Sequence, residues 1–186
     1  MKMTIRTITV FLLGAILNSC ADASSVSKDD FEALQSEFIR FKDKQLIVGL
    51  SNAFTDAAGQ KDKELFKSLW AEDGEWIIGP PIGKTFKGRD SIANAFEHLI
   101  GSWEFFVQLN SGYNVDLSAD GKTATANFYL NEIARGSNSS NYNLANYQDE
   151  LIKKDGGWFF KKRNYHVIYL DTTSLRGKSF RKKNND

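Results

Sequence analysis

Three polar residues near the end of the chain, Tyr147, Asp149 and His166, are the candidates for acid–base chemistry. An Asp or His base removes a proton next to a carbonyl, and a Tyr hydroxyl donates a hydrogen bond to the oxyanion that forms. In an apolar pocket, desolvation would shift the pKa values of Asp149 and His166 from their values in water. If the three residues face one pocket, they predict a lyase or an isomerase.

The two β-rich runs that contain these residues are joined by Asp155-Gly156. This dipeptide predicts a type I′ hairpin turn, because both central positions of that turn need positive φ. A two-residue turn there places Asp149 opposite Lys162. The same register pairs Lys153 with Trp158, Leu151 with Phe160, Tyr147 with Asn164 and Ala145 with His166. The alternative interpretation of this face is a plain Asp149–Lys162 ion pair with His166 at a strand edge.

A second Asp-Gly dipeptide, Asp120-Gly121, predicts another hairpin earlier in the chain. Its register gives one apolar face, with Leu117 opposite Ala124, Val115 opposite Ala126 and Tyr113 opposite Phe128. The other face is polar, with Asn114 opposite Asn127, Asp116 opposite Thr125 and Ser118 opposite Thr123. We therefore expect a sheet with one side packed on helices and the other in water.

Three helices are expected before these strands. Apolar residues spaced mostly by three and four predict the first helix from residue 29 to Ala58, capped by Ser27 or Asp29. Its apolar stripe consists of Phe31, Leu34, Phe38, Phe41, Ile47, Leu50, Phe54 and Ala57. Further helices are predicted at 61–71 and 89–100, with a strand at 75–78 between them. Residues 103–170 are strand-like, so the pattern indicates an α+β fold.

The start of the chain is typical of an export leader. Residues 1–19 contain a basic start, an apolar run of about ten residues and small residues at the end. Leu17-Asn18-Ser19-Cys20 resembles the lipobox of bacterial lipoproteins, in which the cysteine is lipidated, and by the same resemblance Ala21 favours the outer membrane. Cleavage after Ala23, which would release a soluble protein, is the alternative. We expect a tether at 20–28, one domain at 29–171 and a basic flexible tail at 172–186.

Charge and ligand chemistry exclude several classes of function. The chain has 24 basic and 23 acidic residues. Without Lys2 and Arg6 of the leader the net charge becomes −1, so no nucleic-acid partner is expected. Two well-separated histidines and a single cysteine make a metal site unexpected, and no cofactor is predicted. Contact with a membrane is expected only through the lipid anchor at Cys20.

The local sequence pattern over residues 38–170 resembles that of the SnoaL-like branch of the nuclear-transport-factor-2-like (NTF2-like) superfamily. The matching stretches are Asp43-x3-Ile47-x2-Leu50-x3-Phe54, Asp62-x2-Leu65-Phe66-x2-Leu69-Trp70-x2-Asp73-Gly74 with Lys87-Gly88-Arg89-Asp90-Ser91-Ile92, Asp120-Gly121-Lys122-Thr123-Ala124, and Tyr147-x-Asp149-x-Leu151 leading to Gly157-Trp158-x4-Arg163. The resemblance implies a cone in which three N-terminal helices pack on a strongly curved, mostly antiparallel sheet.

The resemblance also implies where catalytic residues would lie, and this sequence departs from the family there. Dehydratases and isomerases of this branch use a Tyr and an Asp on the first helix and a His on the first long strand. Here the Tyr position is Phe54, the Asp position is Gly59, and the His position falls at or within two residues of Gln108. The family's usual acid–base residues are therefore absent from these places.

Three functional hypotheses follow. The first is a binding module whose cone holds a small hydrophobic or aromatic molecule, or a partner, with a pocket lined by Phe54, Trp76, Gln108, Tyr113, Phe128, Trp158 and Phe160. The alternative is a dehydratase-like or ketosteroid-isomerase-like enzyme that uses the relocated residues Tyr147, Asp149 and His166. The third is an assembly role through a homodimer formed by the sheet face.

Overall fold

The computed structural model describes residues 27–180, so the predicted leader, Cys20 and the end of the predicted tail lie outside the described residues. These residues fall into two compact units, 27–38 and 39–180. The helices are α1 (Lys28–Gln60), α2 (Lys63–Ser68) and α3 (Arg89–Gly101). Within the described range, no helix is long and apolar enough to span a bilayer.

Helix α1 begins at the predicted cap. The backbone N–H of Asp30 donates to Ser27 Oγ at 3.1 Å, and Ser27 Oγ donates to Asp30 Oδ2 at 2.7 Å, so one short polar pair satisfies a free N–H of the first turn. The predicted stripe is buried only in the second half of the helix, at Ile47, Phe54 and Ala57. Its first four members, Phe31, Leu34, Phe38 and Phe41, are exposed.

The second helix is shorter than predicted. Asp62 caps it by accepting from the Leu65 N–H at 2.9 Å, but it ends at Ser68, and the next residues form strand β1 (Trp70–Ile78). The prediction of a helix to residue 71 and a strand from 75 was wrong at this boundary. Phe160 N–H donates to Leu69 O at 3.0 Å, and Trp70 pairs with Phe160 across the sheet. Long-range strand pairing therefore overrides the local helical spacing.

The remaining strands are β2 (Lys84–Lys87), β3 (Phe105–Leu117), β4 (Thr123–Arg135), β5 (Ser140–Lys154) and β6 (Gly157–Asp171). They form one six-stranded sheet in the order β2-β1-β6-β5-β4-β3, and only the β1–β6 pair is parallel. The predicted α+β class with a mostly antiparallel sheet is confirmed. The expected set of three N-terminal helices is not, because among residues 27–180 one helix of 33 residues is followed by one of 6, and α3 comes only after β2.

The register of the first hairpin is confirmed. Tyr113 lies opposite Phe128, and the pairing holds through Leu117 and Ala124. The turn itself differs from the prediction, because Gly121 has a φ of 67° while Asp120 does not have positive φ. Towards the other end of β3 the pairing shifts by one residue between Asn110 and Gly112. Strand β4 has no such shift, so its residues alternate between the two faces along its whole length.

The register of the second hairpin is correct only next to the turn. Asp155 and Gly156 have φ values of 51° and 79°, as a type I′ turn requires, and the predicted pairs hold up to Leu151 and Phe160. A β-bulge then inserts Lys161, and Glu150 lies opposite Lys162. The predicted pairs of Asp149 with Lys162, Tyr147 with Asn164 and Ala145 with His166 are therefore wrong. The inserted residue exchanges the faces of the residues that follow it as far as Val167, and a second shift of one residue between Val167 and Tyr169 ends the exchange.

The core lies between the helices of the second unit and one face of the sheet. Phe54 of α1 packs against Phe66, Trp76 and Phe160, with ring centroids 4.8–6.3 Å apart. The ring of Phe66 stacks on Phe96 of α3 at 3.9 Å. This aromatic core fills one end of the concave face and leaves a cavity at the other.

Candidate functional site

A cavity of about 330 Å³ opens between the end of α3, the loop after β1 and the inner face of β3, β4, β5 and β6. This volume is near the lower end of the range of small-molecule pockets, about 300–1,000 Å³. Aromatic side chains form much of its wall: Trp76, Trp103, Phe106, Tyr147 and Tyr165. Polar side chains occupy the part of the wall formed by β3, β4 and β5: Gln108, Glu132, Asn141 and Asn143.

Glu132 reaches the cavity because of its place in β4. Every second residue of this strand is buried, in the series Ala124, Ala126, Phe128, Leu130, Glu132 and Ala134. Strand geometry sends alternate side chains to the same face, so the carboxyl group takes an inward position in a row of apolar residues. Glu132 lies opposite Gln108 on β3 and Asn143 on β5. One cross-strand row thus carries three polar side chains into the cavity wall.

These side chains form a connected network, which we name the Glu132 cluster: Gln108, Glu132, Asn143, Tyr147 and Tyr165. Gln108 Nε2 donates to Glu132 Oε2 at 2.7 Å, and Asn143 Nδ2 donates to Oε1 at 2.7 Å. Tyr165 OH donates to Oε2 at 3.2 Å. No basic side chain of residues 27–180 lies within ion-pair distance of this carboxyl group. Burial raises the pKa of Glu132, and the three donated hydrogen bonds oppose that shift.

Both tyrosines of the Glu132 cluster are neutral hydrogen-bonding groups. Burial, opposed by the charge of Arg163, raises the pKa of Tyr147, and burial together with the neighbouring Glu132 raises the pKa of Tyr165. Tyr147 OH accepts from Gln108 Nε2 at 3.1 Å, the same nitrogen that donates to Glu132. Since this bond uses the oxygen as an acceptor, the phenolic proton of Tyr147 is left for another acceptor.

A second buried polar pair lies beside the aromatic core. Arg163 Nε donates to Asp149 Oδ1 at 3.0 Å, and Arg163 Nη2 donates to Ser51 Oγ at 2.9 Å. The guanidinium carbon lies 3.9–4.2 Å from the ring centres of Tyr147, Phe160 and Phe54. Burial raises the pKa of Asp149 to about 6, and the charge of Arg163 opposes the shift. Neither charged residue lines the cavity.

The three predicted catalytic residues are therefore not brought together. Tyr147 lines the cavity, and Asp149 is held by Arg163. His166 lies on the other face of β6, opposite Asn146, because the bulge at Lys161 exchanges the faces. The expected ion pair of Asp149 exists, but its partner is Arg163, while Lys162 lies 3.6 Å from Glu150.

The predicted pocket residues also occupy different places. Trp76 and Gln108 line the cavity. Phe54, Phe128 and Phe160 are core residues around Arg163. Trp158 Nε1 donates to Asp43 Oδ1 at 3.0 Å, away from the cavity lining. Tyr113 is 55% exposed.

Sequence reasoning missed Glu132, Asn143 and Tyr165. The alternating run from Ala124 to Ala134 contained the signal for Glu132, since the first hairpin register already assigns Ala124, Ala126 and Phe128 to the apolar face. No comparable signal existed for Tyr165, whose inward position depends on the bulge. Across residues 27–180, no group of three His, Cys, Asp or Glu side chains is arranged to hold a metal ion.

A curved, mostly antiparallel six-stranded sheet with helices on its concave face and a cavity between them defines an NTF2-like protein. A family model described as a SnoaL-like domain matches residues 40–164, and the chain belongs to this family. The resemblance drawn from the sequence motifs is thus confirmed for the domain. No curated protein was found to match the sequence.

Solved structures share this fold at low sequence identity. The hexachlorocyclohexane dehydrochlorinase LinA-type3 from Novosphingobium barchaimii LL02 superposes with a TM-score of 0.68 and 20% identity, covering 79% of this chain and 99% of that one. A candidate scytalone dehydratase from Novosphingobium aromaticivorans gives 0.65 and 21%, with coverages of 77% and 97%. An NTF2-like protein with a cystatin-like fold from the same species gives 0.65 and 22%, with coverages of 76% and 92%. At these identities the likeness shows the fold alone.

Proposed function

We propose that this SnoaL-like protein binds a small, largely hydrophobic molecule in the cavity beside the Glu132 cluster. The observation that carries the proposal is an aromatic cavity of about 330 Å³ whose lining residues include buried polar atoms without partners. Among residues 27–180 these atoms include Trp76 Nε1, Gln108 Oε1 and Asn143 Oδ1. Each such atom costs about 1–3 kcal/mol when left unpaired, so a ligand that pairs them gains that energy on binding.

Binding is favoured over the family's usual chemistry because the usual positions carry other residues. Phe54 and Gly59 have no acid or base, and Gln108 donates to Glu132. Tyr147, Asp149 and His166, the predicted replacements, do not meet in one site, because the Asp149 carboxylate is paired with Arg163. A binding module requires none of these groups to transfer a proton.

A second candidate is a lyase or isomerase, and one observation favours it. Glu132 and Tyr147 both contact Gln108 Nε2, at 2.7 and 3.1 Å, so a carboxyl group and a phenolic donor share the cavity. A buried carboxylate with a raised pKa suits a general base, and a phenol suits an oxyanion donor. In this candidate Glu132 takes the role that the sequence assigned to Asp149 or His166. Two of the solved structures with this fold are described as a dehydrochlorinase and a candidate dehydratase.

Blocking the cavity tests the binding proposal. Native mass spectrometry and thermal-shift measurements with a panel of small aromatic and aliphatic compounds would first identify a ligand. Val167 lines the cavity, so Val167→Trp is expected to abolish binding. Val107→Trp is the matched control, since Val107 is exposed and does not line the cavity. Equal binding by wild type and Val167→Trp would contradict the proposal, and conversion of the bound compound would favour the enzyme.

The place of the protein in the cell is a separate proposal based on the leader sequence. We expect export and attachment to the outer membrane through a lipid on Cys20, with residues 20–28 as a tether. Fractionation of cells that express Cys20→Ser should find the protein released from the membrane. Unchanged membrane association of this variant would favour cleavage after Ala23 and a different mode of attachment.

Self-association through the outer sheet face is also proposed. Leu109, Leu144 and Tyr169 lie in one cross-strand row and are exposed, and Val107 and Tyr129 add to the same apolar surface. Analytical ultracentrifugation of wild type and Leu109→Glu should show a dimer that the charged side chain disrupts. A wild-type monomer at high concentration would contradict the dimer.

A further inference from the structure

Glu132 differs from the other buried acidic residues in having no cationic partner. Three acidic side chains are buried within residues 27–180. Asp43 lies 2.8 Å from Lys153 Nζ, and Asp149 lies 3.0 Å from Arg163 Nε. Glu132 accepts only from neutral donors. Buried carboxylates are normally paired, because desolvating an isolated charge is expensive.

The hydrogen bonds around Glu132 suit the ionised form of its carboxyl group. Gln108 Nε2, Asn143 Nδ2 and Tyr165 OH all donate to its two oxygens. A protonated carboxyl group would direct an additional O–H at a site that already presents three donors. The neutral donors are arranged for an anion, but they do not cancel its charge.

The same arrangement leaves further acceptors beside the carboxylate. Because Gln108 and Asn143 turn their NH₂ groups towards Glu132, their carbonyl oxygens Oε1 and Oδ1 are buried without partners. A primary ammonium group has three N–H donors and no acceptor. The Glu132 carboxylate and the amide oxygens of the residues on either side of it are all acceptors, the type of group that an ammonium binds.

The wall of the cavity adds aromatic faces to these acceptors. Trp76, Trp103, Phe106, Tyr147 and Tyr165 line the same space. The negative face of an aromatic ring attracts an organic cation, most strongly when both are removed from water. Trp76 Nε1 and the Tyr147 hydroxyl are donors of the lining for which the described residues supply no acceptor, and they suit an acceptor elsewhere in the ligand.

We propose that the ligand of this cavity is an organic amine, with its ammonium group on Glu132 and its hydrophobic part against the aromatic wall. The proposal rests on the binding function proposed above and specifies its ligand class. It assigns Glu132 as the residue that selects cations over neutral and anionic molecules of the same size.

The test uses three probes of nearly equal size: 2-phenylethylamine, 2-phenylethanol and phenylacetate. Isothermal titration of the full-length chain should give an affinity for the amine at least about tenfold higher than for the alcohol, since charge-assisted hydrogen bonds are about twice as strong as neutral ones. Phenylacetate should not bind, because its charge would meet that of Glu132.

Two variants assign the preference to Glu132. Glu132→Gln keeps the size of the side chain, and the amides of Gln108 and Asn143 are able to turn and pair with it. The variant should lower the affinity for the amine about tenfold and should lower the affinity for the alcohol by much less. Glu150→Gln is the matched control, the same change on an exposed residue of β5. Thermal melting reports whether each variant folds. If Glu132→Gln does not fold, the affinities of the wild type for the three probes test the amine inference by themselves.

The outcomes separate this inference from the binding proposal. Equal affinity of the wild type for the amine and the alcohol would overturn the amine inference and leave the binding function standing. An unchanged affinity of folded Glu132→Gln for the amine would do the same. If none of the three probes binds, the amine inference is overturned, and the panel of compounds with Val167→Trp decides the binding proposal.

Discussion

Arg163 Nε donates to Asp149 Oδ1 at 3.0 Å, and neither side chain has solvent-exposed surface. This pair exists because Lys161 is inserted into β6 as a bulge, which turns Arg163 towards the core and Lys162 away from it. The guanidinium is further held by Ser51 and by the rings of Phe54 and Tyr147. The pair therefore connects α1, β5 and β6 behind the cavity.

Removing the acid of this pair should strongly destabilise the protein. Asp149→Ala leaves the charge of Arg163 buried without a counter-charge, which costs about 3–5 kcal/mol of the free energy of unfolding. Lys162→Ala is the control, because Lys162 is only half-buried and lies 3.6 Å from Glu150; its cost should stay below about 1 kcal/mol. Urea unfolding measures both values. A small effect of Asp149→Ala would contradict the buried pairing.

Deleting the bulge residue should leave the register intact. Phe160 lies opposite Leu151 and Lys162 lies opposite Glu150, so removal of Lys161 keeps these pairs and every later one in a regular ladder. Lys161→Ala keeps the chain length and loses only an exposed ion pair with Asp73, so it should also fold normally. Circular dichroism and thermal melting compare the two variants. Loss of the cooperative melt in the deletion variant alone would show that the fold requires the bulge itself.

Amine binding should weaken as the pH falls. Burial raises the pKa of Glu132 above the ordinary value of 4.5, so the carboxylate takes up a proton at a higher pH than an exposed Glu. A neutral carboxyl group no longer attracts the cation, whereas an alkylammonium group titrates near pH 10 and stays charged. The other titratable side chains of the lining, Tyr147 and Tyr165, have raised pKa values and stay neutral.

Titration calorimetry with 2-phenylethylamine from pH 8 to pH 4 measures this dependence. The affinity should fall as the pH drops through the pKa of Glu132, and Glu132→Gln should show no such fall. A pH-independent affinity of the wild type would argue that the ammonium group does not contact Glu132.

Two tryptophans with different surroundings should separate stability from binding. Trp158 Nε1 donates to Asp43 Oδ1 at 3.0 Å, so Trp158→Phe should lower the free energy of unfolding by about 1 kcal/mol and leave ligand affinity unchanged. Trp103 lines the cavity, so Trp103→Ala should weaken ligand binding. Urea unfolding and titration calorimetry on both variants check this. Loss of binding in Trp158→Phe would support the pocket that the sequence predicted.

Much of the framework could be predicted from local sequence. The period of the helices, the cap at Ser27 and the Asp155-Gly156 turn each depend on neighbouring residues, and the structure contains all three. The inward position of Glu132 is also local information, since β4 alternates without interruption from Ala124 to Ala134. This residue was missed although its signal was present.

Only the tertiary structure decided which residues of β6 face the cavity. A strand with period two carries no mark of where one residue is inserted, and the bulge at Lys161 is stabilised by contacts of Arg163 with Asp149 and Ser51, distant in sequence. Those contacts place Tyr165 in the Glu132 cluster and His166 on the opposite face. The candidate acid–base residue is therefore Glu132 of β4 and not Asp149 or His166 of the second hairpin. Which residues face inward depends on long-range packing, and local periodicity does not encode that packing.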